Sequence, residues 1–257
     1  MTPLHLALLL LALAAPLPAA SGEIQLRQTL SATLEPGRLR LHLTVHNFGR
    51  EPALKIQPIV WFLGRSQTLP PLERLESGHY YQQRLDLIPP REGHYGLLVD
   101  LRYNSPRAAY SLPTFIANPE YRPPDELLLQ WQTGDDAPRL QLENHGPTPL
   151  EIDLTVLAPW ELGLTPPPAR LTLDPGERRT LETPLNYLDI AGHRPNAVIH
   201  ALADFDTPAG HRIAYAALEL NTVPPLATVP WNGLALAAAV LLLGSIFLGL
   251  RRKHSRR

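Results

Sequence analysis

Along most of its length this chain alternates apolar and polar residues with a period of two, and that pattern leaves few folds open. Leu39, Leu41, Leu43 and Val45 alternate with Arg40, His42, Thr44 and His46. Leu140 and Leu142 alternate with Gln141 and Glu143, and Ile152, Leu154 and Val156 with Asp153 and Thr155. Leu97, Val99 and Leu101 alternate with Leu98, Asp100 and Arg102. Successive side chains of a strand point to opposite faces, so each segment reads as a strand with one buried and one wet face. Prolines cluster between these segments, at Pro70-Pro71, Pro89-Pro90, Pro123-Pro124, Pro166-Pro167-Pro168 and Pro224-Pro225. A proline has no N–H to give a ladder, so such clusters end strands. Outside the two ends no amphipathic helical pattern competes, and the expected fold class is all-β.

The two ends follow different rules. Residues 1–21 hold an apolar run from Leu6 to Ala15, then Pro16, Pro18 and the small residues Ala19, Ala20 and Ser21. A run of about ten is too short to span a bilayer, and small residues after it match a cleavable signal peptide. No Lys or Arg precedes that run, so only the α-amino group and His5 supply positive charge. Residues 231–250, Trp231 to Leu250, carry no charged side chain. That length suits one transmembrane α-helix, with Pro230 just before it and Trp231 at the membrane interface. Residues 251–257 add Arg251, Arg252, Lys253, Arg256 and Arg257, a basic tail of the kind that stays cytoplasmic.

Removing both ends leaves an acidic exterior. The tail takes five of the 23 Lys and Arg, leaving 18 against 24 Asp and Glu, a net charge of −6. Such a surface disfavours nucleic acid and anionic lipid as partners. The chain has no cysteine, which excludes disulfides, thiolate metal sites, a cysteine nucleophile and a lipid-bearing Cys anchor. An exported protein without disulfides fits a bacterial periplasm better than a eukaryotic cell surface. The expected location is the bacterial inner membrane, single-pass, with the N-terminal part periplasmic and the C-terminus cytoplasmic.

The exterior also repeats itself. Asn47-Phe48-Gly49 returns as Asn144-His145-Gly146, and Trp61 as Trp160. Glu76-Ser77-Gly78 returns as Asp174-Pro175-Gly176, Gly93-His94 as Gly192-His193, and Asn104-Ser105-Pro106 as Asp206-Thr207-Pro208. Offsets drifting slowly from 97 to 102 residues mark a tandem repeat with small insertions. The expected plan is two tandem immunoglobulin-like β-sandwiches, 22–118 and 127–223. A Pro-rich linker at 119–126 joins them, and a Pro-rich stalk at 224–230 leads to the membrane. At each Asn-x-Gly, residues that tolerate positive φ would turn a hairpin. Trp61 and Trp160 are expected to hold equivalent, substantially buried strand-end positions.

The second copy resembles the NEW3/CARDB class of bacterial and archaeal Ig-like domains. The residues that carry the resemblance are Asn144-His145-Gly146, Ala158-Pro159-Trp160, Leu173-Asp174-Pro175-Gly176-Glu177 and Ala191-Gly192. It covers about 136–221 well, and about 38–116 more loosely through Asn47-Phe48-Gly49 and Gly93-His94-Tyr95. The first copy departs at Leu75-Glu76-Ser77-Gly78, and the second has His193-Arg194 where a late Tyr is usual. The resemblance implies an Ig-like fold and carries little about activity.

Chemistry-bearing clusters are few. His42 and His46 share a strand face but lie about 13 Å apart, too far for one metal ion. His79-Tyr80-Tyr81 and His94-Tyr95 offer either a binding patch or a core tyrosine each. Asp135-Asp136 and Asp204-x-Asp206 lack the remaining ligands of a calcium loop and read as acidic loop tips. No nucleophile elbow, zincin helix or phosphate-cradling loop is present. The expectation is a non-enzyme with no catalytic, metal or cofactor-binding residues and no cofactor. Its role would be a scaffold or adaptor presenting two domains to a protein or glycan partner at the cell envelope. Two alternatives stand beside it: a carbohydrate-binding accessory module of a cell-envelope system, and a sorted surface protein whose C-terminal tail is processed. Mass spectrometry of the mature protein checks both ends. It should find a start near Ser21 and a retained C-terminus, and Ala20→Arg should leave the leader uncleaved. An unchanged mature N-terminus in that variant would contradict the signal peptide.

Overall fold

The computed structural model describes residues 24–105, 108–119, 121–133, 137–186 and 197–220. The signal segment, the 231–250 helix, the basic tail, Pro106, Asp135-Asp136 and Gly192-His193 lie outside the described residues. Among the described residues no helix is long and apolar enough to cross a membrane. The architecture is all-β, as the alternation requires. All described residues except Ala197 and Leu220 belong to one compact unit.

The N-terminal half contributes β1 (Leu26–Glu35), β2 (Arg38–Asn47), β3 (Ala53–Phe62), β4 (Arg65–Thr68), β5 (Leu72–Leu75), β6 (Tyr80–Leu87), β7 (Gly96–Asn104) and β8 (Ala109–Ala117). One antiparallel sheet has the order β1-β2-β6; another has β4-β3-β7-β8, with β5 also paired to β3. Leu39, Leu41, Leu43 and Val45 of β2 meet Leu97, Val99 and Leu101 of β7 in a single buried cluster with Ile56 and Val60. This is β-sandwich packing, and each fully buried Leu or Val contributes about 1.5–3 kcal/mol.

The C-terminal half contributes β9 (Leu127–Gln132), β10 (Arg139–Asn144), β11 (Leu150–Leu157), a 3₁₀ turn at Trp160–Leu162, β12 (Arg170–Leu173), β13 (Arg178–Glu182), β14 (Ala197–Thr207) and β15 (Gly210–Leu220). Its sheets have the orders β13-β10-β9 and β12-β11-β14-β15. No named strand of one half joins a sheet of the other.

The two asparagines of the repeat do the same work in each half. Asn47 is buried where β2 ends and the chain crosses to the other sheet. Its Nδ2 donates to Glu51 O at 2.8 Å and Leu75 O at 3.0 Å, and its Oδ1 accepts from Gly49 N–H at 3.1 Å. Asn144, also buried, donates to Thr148 O at 2.9 Å and Leu173 O at 3.0 Å and accepts from Gly146 N–H at 2.8 Å. The main chains match as well: Gly78 N–H donates to Asn47 O, and Gly176 N–H to Asn144 O. This corrects the hairpin expectation. Neither asparagine, nor Gly49, nor Gly146 has positive φ; the left-handed glycines are Gly78 and Gly176, at the partner corner. The asparagine is there because a crossover buries backbone groups that a ladder cannot pair.

Two further expectations fail for a shared reason. Leu98 and Asp100, assigned to a wet face of β7, are buried. Leu98 packs with Leu202 and Ile213, flanked by Trp61, Phe115, Ala117 and Tyr121, so the C-terminal half covers that face. Trp61 is half-buried in this contact, whereas Trp160 opens the 3₁₀ turn beyond β11 and is 39% exposed. The two tryptophans are therefore not equivalent.

Losing an asparagine knot strands two buried carbonyls and an amide, each costing about 1–3 kcal/mol when unpaired. Asn47→Ala and Asn144→Ala should each lower stability by about 2–4 kcal/mol in chemical denaturation. A cost below about 0.5 kcal/mol for both would contradict this role.

Candidate functional site

A dense polar cluster forms where β14 and β15 approach the segment before β7. Gly210 and His211 open β15, and Glu92 to Tyr95 precede β7. The His211 N–H donates to Glu92 O at 3.0 Å, and the His94 N–H donates to His211 O at 2.9 Å. Gly93 makes an isolated parallel bridge with His211. The approach requires glycine: with φ at 150°, a Cβ on Gly93 would stand 2.3 Å from His211 O.

Side chains extend this joint. The His211 imidazole stacks on the Tyr95 ring, with centroids 4.5 Å apart and planes 14° apart. Tyr95 is buried and fixed at both ends. Its hydroxyl donates to Arg91 O at 2.6 Å, and its N–H donates to Asn118 Oδ1 at 3.0 Å. His211 Nδ1 lies 2.9 Å from Asp206 Oδ1, and Nε2 lies 3.3 Å from Asp204 Oδ1. Arg91 pairs with Asp206 at 3.3 Å. Asp204 stands opposite Asp153 in the β11–β14 register, and Arg170 neutralises Asp153 at 2.7 Å. A cavity of about 510 Å³ opens here, lined among others by Arg91, Asp153, Arg170, Asp204 and His211.

The electrostatics follow from burial and pairing. Burial alone pulls the His211 pKa down, but the hydrogen bonds to Asp204 and Asp206 outweigh it and hold it above its ordinary value. Burial pushes the Asp204 carboxyl up, with His211 opposing in part. In its protonated form His211 donates to Asp206 through Nδ1 and to Asp204 through Nε2, so both ring nitrogens are then engaged in the joint. The lining offers no Ser, Thr, Cys or Lys. The arrangement works as a latch. Behind it, burial lowers the His200 pKa to about 4, which holds it neutral, and pushes Tyr215 up to about 12. Tyr215 stacks on Phe115 of the N-terminal half at 3.7 Å.

The positions singled out from the sequence scatter. His42 is exposed on β2. His46, half-buried, stacks instead on the exposed Tyr80 at 4.2 Å. Tyr81 and Tyr95 face the core. Asp204 and Asp206 correct the loop-tip assignment. They lie in β14, with Asp204 buried, because His211 supplies the partner that makes burial tolerable. No sequence motif marks His211. Its only local signal is the Gly210 before it, two residues after Pro208. Among the described residues no group of His, Asp and Glu is arranged to hold a metal ion.

No family model matches the chain, and no curated protein matches it. Among solved structures, red sea bream transglutaminase shares 14% identity over 76% of this chain and 31% of its own, with a TM-score of 0.27. The native α2-macroglobulin of E. coli shares 12% over 76% of this chain and 16% of its own, at 0.29. The YadV chaperone shares 13% over 75% of this chain and 99% of its own, at 0.27. The chain thus spans under a third of the length of the first two. At these TM-scores the likenesses carry no argument.

The latch has a definite pH signature. His211 binds its proton more tightly folded than unfolded. Its stabilisation is complete below the ordinary value of 6.5 and is lost as pH rises through the raised folded value. Asp204 likewise holds its proton more tightly folded, so its ionisation costs stability as pH rises above 3.8. The denaturation midpoint should therefore fall as pH rises from about 6.5, and His211→Gln should flatten that slope. An unchanged slope in the variant would contradict the assignment.

Proposed function

We propose that this chain is a non-catalytic scaffold, tethered outside a bacterial cytoplasmic membrane, that presents two tandem Ig-like β-sandwiches to a protein or glycan partner. In this account 1–21 directs export, 22–118 and 127–223 are the sandwiches, and 119–126 joins them. The stalk 224–230 leads to an anchor at 231–250 and a cytoplasmic tail at 251–257.

The observation that carries the proposal is the His211 latch. It commits a histidine, two aspartates and a buried tyrosine to holding the two halves together, and its cavity is lined by no Ser, Thr, Cys or Lys. A joint built that way suits a rigid platform better than a pair of independently swinging modules, because a loose interface needs no buried charge. The matched asparagine knots of the two halves support the tandem-repeat element of the proposal. The uncharged 231–250 segment supports tethering without a transport path. Confinement near one surface then raises the effective concentration for a membrane-associated partner.

Crosslinking the full chain in its native membrane should recover a reproducible partner. Gly93→Ala, which wedges the latch open, should reduce that recovery severalfold while leaving the protein in the membrane. Recovery of no partner, together with turnover of ester, peptide or glycoside substrates, would overturn the scaffold proposal.

A further inference from the structure

A second cavity, of about 440 Å³, lies away from the latch, along β3, β7 and β8 with Trp160 at its wall. We propose that this groove is a binding site for a carboxylate-bearing sugar unit, an acidic saccharide. The assignment deepens the scaffold proposal by naming one ligand class, and it rests on that proposal's non-catalytic character.

The aromatic wall is built, not incidental. Trp160 is exposed yet held at two points. Its Nε1–H donates to Ala109 O at 2.9 Å, and its backbone N–H donates to the buried Ser111 Oγ at 2.8 Å. An indole fixed by its edge keeps its plane while its surface stays open, the arrangement that lets the C–H face of a pyranose stack on it. Tyr110, also lining the groove, is backed by the buried Tyr103 with ring centroids 5.5 Å apart.

The charge is of one sign. Lys55 and Arg102 line the groove, and no carboxylate does, on a chain whose exterior is acidic overall. Arg102 is ion-paired with the buried Asp100 through its Nε–H to Oδ2 at 2.9 Å, which fixes its guanidinium and leaves Lys55, among the described residues, as the groove's uncompensated cation. Lys55 has φ of 49°, a left-handed conformation unusual for a lysine, at the point where the β3–β7 register slips between Leu54 and Gln57. Bulges of this kind re-aim a side chain, and strained backbone gathers where a side chain must point somewhere particular. Among the described residues no carboxylate lies within ion-pair distance of Lys55. The amides of Gln57 and Asn104 add groups able to bond sugar hydroxyls. Stacking surface, cations and neutral amides together match an acidic sugar, whereas an acidic peptide would use the cations but not the indole face. The volume falls within the range of small-ligand sites, about 300–1,000 Å³.

The test is calorimetric titration of the full chain in detergent with trigalacturonate, with maltotriose as neutral control and hexaglutamate as competitor. Trigalacturonate should bind at least about tenfold more tightly than maltotriose. Trp160→Ala should weaken binding about tenfold or more, and Lys55→Gln should erase the preference for the acidic sugar. Lys55 is exposed, so its variant keeps the test meaningful where Trp160→Ala unfolds. No binding of either sugar, or binding indifferent to both substitutions, would overturn the site while leaving a crosslinked partner and the scaffold proposal standing. Displacement by hexaglutamate at equal concentration would overturn it in favour of an acidic peptide. Cleavage of bound trigalacturonate would uphold the site and overturn the non-catalytic account.

Discussion

A crossover between two stacked sheets buries backbone groups that no ladder can pair, and each half of this protein meets that constraint with a buried asparagine where β2 leads to β3 and β10 to β11. Asn47 and Asn144 have the donors and acceptor to pair with two carbonyls and an amide at once. Each ties the corner leaving β2 or β10 to the corner entering β6 or β13. The registers of those strands, and the core leucines they align, depend on the corners being held. A neutral amide does this without the desolvation cost that a carboxylate or an amine would bring to the same buried position.

The joint between the halves uses different physics. Apolar contact through Leu98, Leu202, Ile213 and the stacked Phe115 and Tyr215 sets the approach. Gly96 permits it, since a Cβ there would stand 2.8 Å from Ile213 Cδ1. The His211 latch then adds direction, because an imidazole held by Asp204, Asp206 and Tyr95 fits one orientation only. In such dry surroundings an ion pair is costly to bury and costlier to break, since removing one partner leaves the other's charge uncompensated.

The elements legible in the sequence were those with local period. The alternation of Leu39 to Val45 and of Ile152 to Val156 is that of strands β2 and β11, and the spacing of Asn47 to Asn144 marks equivalent corners. What could not be read depended on distant contact. Leu98 broke the polar side of its strand, a hint that its face was covered, but nothing local named Ile213 as the cover. Asp204 and Asp206 looked like loop acids because their partner, His211, sits across a hairpin and against a glycine more than a hundred residues earlier. Trp160 matched Trp61 by spacing, yet it lines a groove along β3, β7 and β8 of the other half. The candidate site was therefore less legible than the fold, since it is assembled almost wholly from long-range pairs.

The claim that the two halves form one rigid unit can be measured directly, because the chain has no cysteine to remove before labelling. Spin labels at Gln82→Cys and Thr180→Cys, both on exposed strand positions, report the distance between the halves by pulsed electron–electron resonance. A single narrow distribution that broadens in Gly93→Ala is the result this account predicts. A broad or multi-peaked distribution in the otherwise unaltered protein would contradict it.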